Sequence, residues 1–101
     1  GPGADLLGRD LSGLDLSGAD LSGADIQCAI LNGTKLRGAT LVGAKLGGAR
    51  LNRADLTDAD LTGVDLTSTS FDRVTAKRAK LEGTPAWESV ARLLRELGAE
   101  E

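Results

Sequence analysis

Chemistry in this 101-residue chain could come from one thiol, Cys28, and from aspartates that recur every five residues: Asp5, Asp10, Asp15, Asp20 and Asp25. A thiol becomes a nucleophile when a base or a positive field draws off its proton, and the chain contains no histidine. Ser-His-Asp and Cys-His nucleophiles are therefore excluded, as are metal sites built with histidine. Cys28 has no basic neighbour in sequence and reads as a spare small residue. Paired carboxylates can bind a cation or serve as acid and base, so the aspartate series must be weighed on the elements that carry it. No G-x-x-x-x-G-K-[ST] or G-x-G-x-x-G stretch occurs, which leaves the 14 glycines as turn formers. The expectation is no catalytic residue, no metal and no cofactor.

The elements that position these aspartates follow a period of five, which is neither the two of a strand nor the 3.6 of a helix. The stretch GADLSGADIQ, residues 18 to 27, states it nearly twice over. From Ala4 to Gly83 the chain divides into sixteen units of five. The middle positions are Leu6, Leu11, Leu16, Leu21, Ile26, Leu31, Leu36, Leu41, Leu46, Leu51, Leu56, Leu61, Leu66, Phe71, Ala76 and Leu81. Ala76 is the one gap in a column of large apolar residues. Two places earlier stands a small residue, Ala in ten units, and two places later stands Gly in ten.

A spacing of two puts the small residue and the Leu on the same side of a short extended segment. The following step of three demands a corner, and Gly supplies the positive φ that a type II turn requires. Corners of one sense wind the chain into an all-β solenoid whose core is a column of side chains per side. Arg9 and Leu14 occupy small positions near the start, where a long side chain can escape over the end of the coil. Arg53, Asp58, Ser68, Arg73 and Arg78 replace Gly, and such corners are expected to avoid positive φ and to differ in type.

The pattern A-D-L-S-G, intact at residues 19–23, resembles the pentapeptide repeat proteins over residues 4–83. That resemblance implies a right-handed quadrilateral β-helix with four units per turn, hence about four coils. Residues twenty apart would then stack at the inter-strand spacing of about 4.8 Å. Asp5 would lie over Asp25 and beneath Lys45, and Asp15, Lys35 and Asp55 would form a ladder of alternating sign. These are outward positions, so they read as solvated surface rather than a cation site.

After Gly83 the period of five stops, and residues 84–101 read as a C-terminal helix. Thr84 suits its cap, Pro85 its first turn and Gly98 its stop, and Trp87, Val90, Leu93, Leu94 and Leu97 form an apolar stripe. This helix is expected to cap the coil or to pair with its copy, giving a monomer or a homodimer. Residues 1–3 are set apart, because Gly1 and Pro2 resemble the remnant left by a tag-removing protease.

Composition bounds the function. One Cys, no signal peptide and no apolar run of about 20 residues point to a cytoplasmic chain without membrane insertion. Members of the resembled family inhibit or protect DNA gyrase by presenting an acidic rod that mimics duplex DNA, often as dimers through a C-terminal helix. Four coils span roughly 19 Å, where duplex DNA carries on the order of 11 charges. Residues 4–83 carry 11 Asp and Glu against 10 Lys and Arg, a net of −1. The sequence therefore favours a non-enzymatic structural or protein-interaction module, a rigid platform or spacer from a larger protein. The expected partner is a protein that the sequence does not identify, with no direct nucleic acid binding; DNA mimicry is the alternative.

Overall fold

The computed structural model describes residues 3–66 and 68–83. Twelve single-residue parallel bridges connect each outward position to the one twenty residues later, from Asp5 with Asp25 to Asp60 with Lys80. Twenty residues are four units of five, so each turn of the coil has four sides. Side 1 is built from units starting at residues 4, 24, 44 and 64; side 2 at 9, 29, 49 and 69; side 3 at 14, 34, 54 and 74; side 4 at 19, 39, 59 and 79.

Each side is locked to the next coil by hydrogen bonds in both directions. On side 1 the Leu6 N–H donates to the Asp25 carbonyl at 2.8 Å, and the Asp25 N–H donates back to Ala4 at 2.9 Å. The corner joins in, since the Gly8 N–H donates to the Gln27 carbonyl at 2.9 Å. Each corner also closes on itself: the N–H of the next unit's first residue donates to the central residue's carbonyl. All fifteen such bonds from Leu6 to Ala76 measure 2.9–3.4 Å, the longest being Val74 to Phe71. With positive φ at the third residue of each corner, these are type II turns.

All six non-glycine corners share this conformation: Cys28, Arg53, Asp58, Ser68, Arg73 and Arg78 have φ between 58° and 67°, against 65–74° for the glycines. The expectation that the replaced corners turn differently is therefore wrong. The physical reason is register. The Arg53 and Asp58 corner N–H groups donate to the Asp72 and Lys77 carbonyls of the next coil, and a different turn would forfeit such rungs. An L-residue in the left-handed region costs about 1–2 kcal/mol, which the coil absorbs.

The interior is two kinds of column. Ile26, Leu31, Leu36, Leu41, Leu46, Leu51, Leu56, Leu61 and Leu66 are fully or almost fully buried, with the alanines of the small positions packed beside them. Phe71, Ala76 and Leu81 are buried in the last described coil. In the first coil Leu6, Leu11 and Leu16 are only partly buried, and Leu14 and Leu7 are exposed. The buried hydroxyl of Thr34 donates to the Leu11 carbonyl at 2.7 Å, so a polar residue stands in the core with its hydrogen bond made. No described helix is long and apolar enough to cross a membrane. The expected helix, with Trp87, Val90, Leu93, Leu94 and Leu97, lies outside the described residues.

Candidate functional surface

The aspartates of the series build corners. A carboxylate one place before the central Leu is positioned to accept the N–H two residues on, closing an Asx turn. Asp10, Asp15 and Asp20 accept from Ser12, Ser17 and Ser22 at 3.0–3.1 Å. Asp25 accepts from Gln27 at 3.2 Å, and Asp55 and Asp60 from Thr57 and Thr62 at 3.0 Å. The bond from Leu7 to Asp5 is longer, 3.3 Å.

Hydrogen bonding to the charged form holds Asp10, Asp15, Asp20, Asp25 and Asp60 below their ordinary range. The Ser12, Ser17 and Ser22 hydroxyls and then their N–H groups lower Asp10, Asp15 and Asp20. The Gln27 side chain and N–H do so for Asp25, and the Thr62 side chain leads at Asp60. The sequence reading missed this role, although the signal was there: D-L-S at residues 10–12, 15–17 and 20–22 and D-L-T at 55–57 and 60–62 place a hydroxyl beside each accepted N–H.

The stacks expected at twenty residues are present. Asp5 and Asp25 are bridge partners, with Lys45 and Asp65 above them, and Asp15, Lys35 and Asp55 follow one another on side 3. Each of Asp5 and Asp25 turns a carboxylate oxygen to its own corner N–H. Among the described residues no group of three or more metal-ligating side chains converges. Cys28 is an exposed corner residue whose Sγ lies beside Gly48.

Side 2 solves the corner problem differently, because Ile30, Arg50 and Ser70 stand where other sides carry aspartate. There the Asn52 N–H donates to Asn32 Oδ1 at 3.1 Å, and the Asp72 N–H to Asn52 Oδ1 at 2.8 Å. Asparagines one coil below thus take the hydrogen bonds that local carboxylates take elsewhere. On the next edge, the Arg78 guanidinium reaches down to Asp58 and holds it below its ordinary range. A shallow open groove of about 320 Å³ on side 1 is lined by Gln27, Lys45, Gly47, Asp65 and Ser68.

The surface presents charge and shape. A comparison with curated proteins finds no match. Among solved structures, a pentapeptide repeat protein from Nostoc PCC 7120 superposes with a TM-score of 0.83 at 29% identity, covering 97% of this chain and 80% of that one. A second, from the cyanobacterium Cyanothece 51142, shares the fold with a TM-score of 0.54 at 19% identity, covering 81% and 83%. HetL from Nostoc sp. strain PCC 7120, described as involved in heterocyst differentiation regulation, gives 0.50 at 26% identity and covers 81% of this chain and 48% of its own. The family described as pentapeptide repeats matches in eight copies, over residues 3–38, 35–75 and 49–84. That match, with the five-residue unit and its twenty-residue register, makes this chain a member of the pentapeptide repeat family.

Proposed function

We propose that the chain is a non-enzymatic interaction module, a rigid β-helical platform that works by surface recognition in the cytoplasm. The observation that carries this reading is the mixed character of every outward column. Asp5 and Asp25 are followed by Lys45, Asp10 by Ile30 and Arg50, Asp15 by Lys35, and Asp20 by Thr40. A mimic of duplex DNA needs a run of negative charge along its length, and each acidic column here is interrupted at its second or third coil.

The test is a DNA gyrase supercoiling assay with micromolar protein. The expected result is no inhibition. Inhibition that disappears when Asp10, Asp15 and Asp20 are neutralised together would replace the platform reading with DNA mimicry. Residues 84–101 enter the proposal as a helix that covers the coil. Leu94→Arg should then lower the Tm and promote aggregation; a soluble, well-folded monomer from a dimeric parent would instead make the helix a dimerisation element.

A further inference from the structure

Two adjacent edges of the coil carry the same backbone strain and treat it differently. At the corners after side 3, Asp58 and Arg78 both sit in the left-handed region, φ 60° and 58°, and are joined by a two-pronged ion pair. At the corners after side 2, Arg53 and Arg73 sit there too, φ 63° and 60°, one coil apart. Neither makes an ion pair among the described residues, and Asp72, next to Arg73 in sequence, pairs with neither. Glycine occupies the same edge at residues 13 and 33. Two arginines whose corners stand one coil, about 4.8 Å, apart, on backbone that is strained where glycine would be relaxed, bring no internal gain.

The surrounding charge is consistent with an outward role. On side 2, Arg9, Arg50, Arg53 and Arg73 face Asp10 and Asp72, a net of +2. Sides 1 and 4 each carry a net of −2: Lys45 against Asp5, Asp25 and Asp65, and Lys80 against Asp20, Asp60 and Glu82. Arg50, Arg53 and Arg73 are all exposed. Guanidinium forks match carboxylates two-pronged, and Arg78 on Asp58 displays that geometry one edge away.

We propose that the edge formed by Arg53 and Arg73, with Arg50 beside it, docks a short carboxylate-rich segment of a partner protein. This names the chemistry of the partner and rests on the reading of the chain as an interaction platform. A nucleic acid fits less well. The patch has three cations over two coils, its flanks include Asp55 and Asp58, and the whole chain has a net charge of −3 and a pI near 4.9, so a long polyanion meets repulsion on sides 1 and 4.

The test uses the full chain and a dye-labelled peptide of six glutamates, read by fluorescence anisotropy at low ionic strength, with a twelve-residue oligothymidylate as second probe. Arg53→Gly with Arg73→Gly removes the forks and relaxes the corners, so the variant should remain folded with an unchanged or higher Tm and bind hexaglutamate at least tenfold more weakly. Lys45→Gln with Lys80→Gln changes the net charge equally on sides 1 and 4 and should bind within twofold of the parent. No binding by the parent, equal weakening in both variants, tighter binding of the oligothymidylate, or a lower Tm in the glycine variant would each overturn the proposal. None of these results bears on the gyrase assay, so failure here is separable from failure of the platform reading.

Discussion

Asp58 and Arg78 occupy successive corners of one edge, and Arg78 Nε and Nη2 reach the Asp58 carboxylate oxygens at 2.6 and 3.0 Å. Two residues that are individually poor at a left-handed corner are thereby coupled across coils. Both side chains are about half exposed, so solvent screens the pair and its contribution to stability is small.

That magnitude makes a comparison of glycine substitutions informative. Relief of left-handed strain is worth about 1 kcal/mol. Arg53→Gly, with no ion pair to lose among the described residues, should raise stability by about that much. Asp58→Gly relieves strain too but loses the pair, so its gain should be smaller than that of Arg53→Gly. Urea unfolding of the two variants beside the parent checks this; equal gains would mean the Asp58–Arg78 pair contributes nothing.

The solenoid was legible in the sequence because Leu and Ala at a spacing of two, followed by a step of three, leave few alternatives to a repeated corner. Four units per turn was not, since no clear pattern recurs at twenty residues; it entered through the family resemblance, and the bridge from Asp5 to Asp25 establishes it. The corner at Arg53 was misread because local propensity was allowed to outrank register: three inter-coil rungs per unit override a preference of about 1 kcal/mol. The role of Asp10 and Asp15 was missed for the opposite reason, a local hydrogen bond two residues on having been treated as surface charge.

Gly48 tests corner packing apart from corner strain. A Cβ there would lie 3.3 Å from Cys28 Sγ, whereas one at Gly43 would meet nothing nearer than the Gly23 nitrogen at 4.0 Å, and the two share a φ above 70°. Gly43→Ala should cost about 1 kcal/mol and Gly48→Ala more. The excess should vanish when Cys28 is also changed to Gly, as measured by a double-mutant cycle in chemical unfolding.

The asparagine ladder of side 2 predicts a specific loss and a specific rescue. Asn32→Ala leaves the Asn52 N–H without its acceptor and should destabilise by about 0.5–1.5 kcal/mol. Asn32→Asp keeps an acceptor oxygen and should recover most of that. Faster amide exchange at Asn52 in the alanine variant alone would locate the effect.

Asp10, Asp15, Asp20, Asp25, Asp58 and Asp60 are all held below their ordinary carboxylate range. A carboxyl group more acidic in the folded state adds stability that is complete above its unfolded value and is lost as pH falls through the folded one. The urea midpoint should therefore be flat from about pH 7 to pH 5 with respect to these groups and should fall below about pH 4. Replacing Asp10, Asp15 and Asp20 by Asn should flatten the acid limb, and an unchanged limb would remove the Asx turns from the account.

Phe71 and Ala76 are consecutive central residues of the last described coil, and both are buried. Across the sixteen units they are the two departures in size, one larger than Leu and one smaller. Units on adjoining sides of one coil share the same interior layer, so the extra volume of one is expected to offset the deficit of the other. Phe71→Leu alone should leave a void and cost roughly 1 kcal/mol. Ala76→Leu alone should overpack the layer and cost about 1–3 kcal/mol. Together they restore the column's usual residue at both positions, so the double variant should be markedly more stable than the sum of the single changes. Thermal or urea unfolding of the four proteins gives the coupling directly; strict additivity would show that the space beside Ala76 is filled by something other than Phe71.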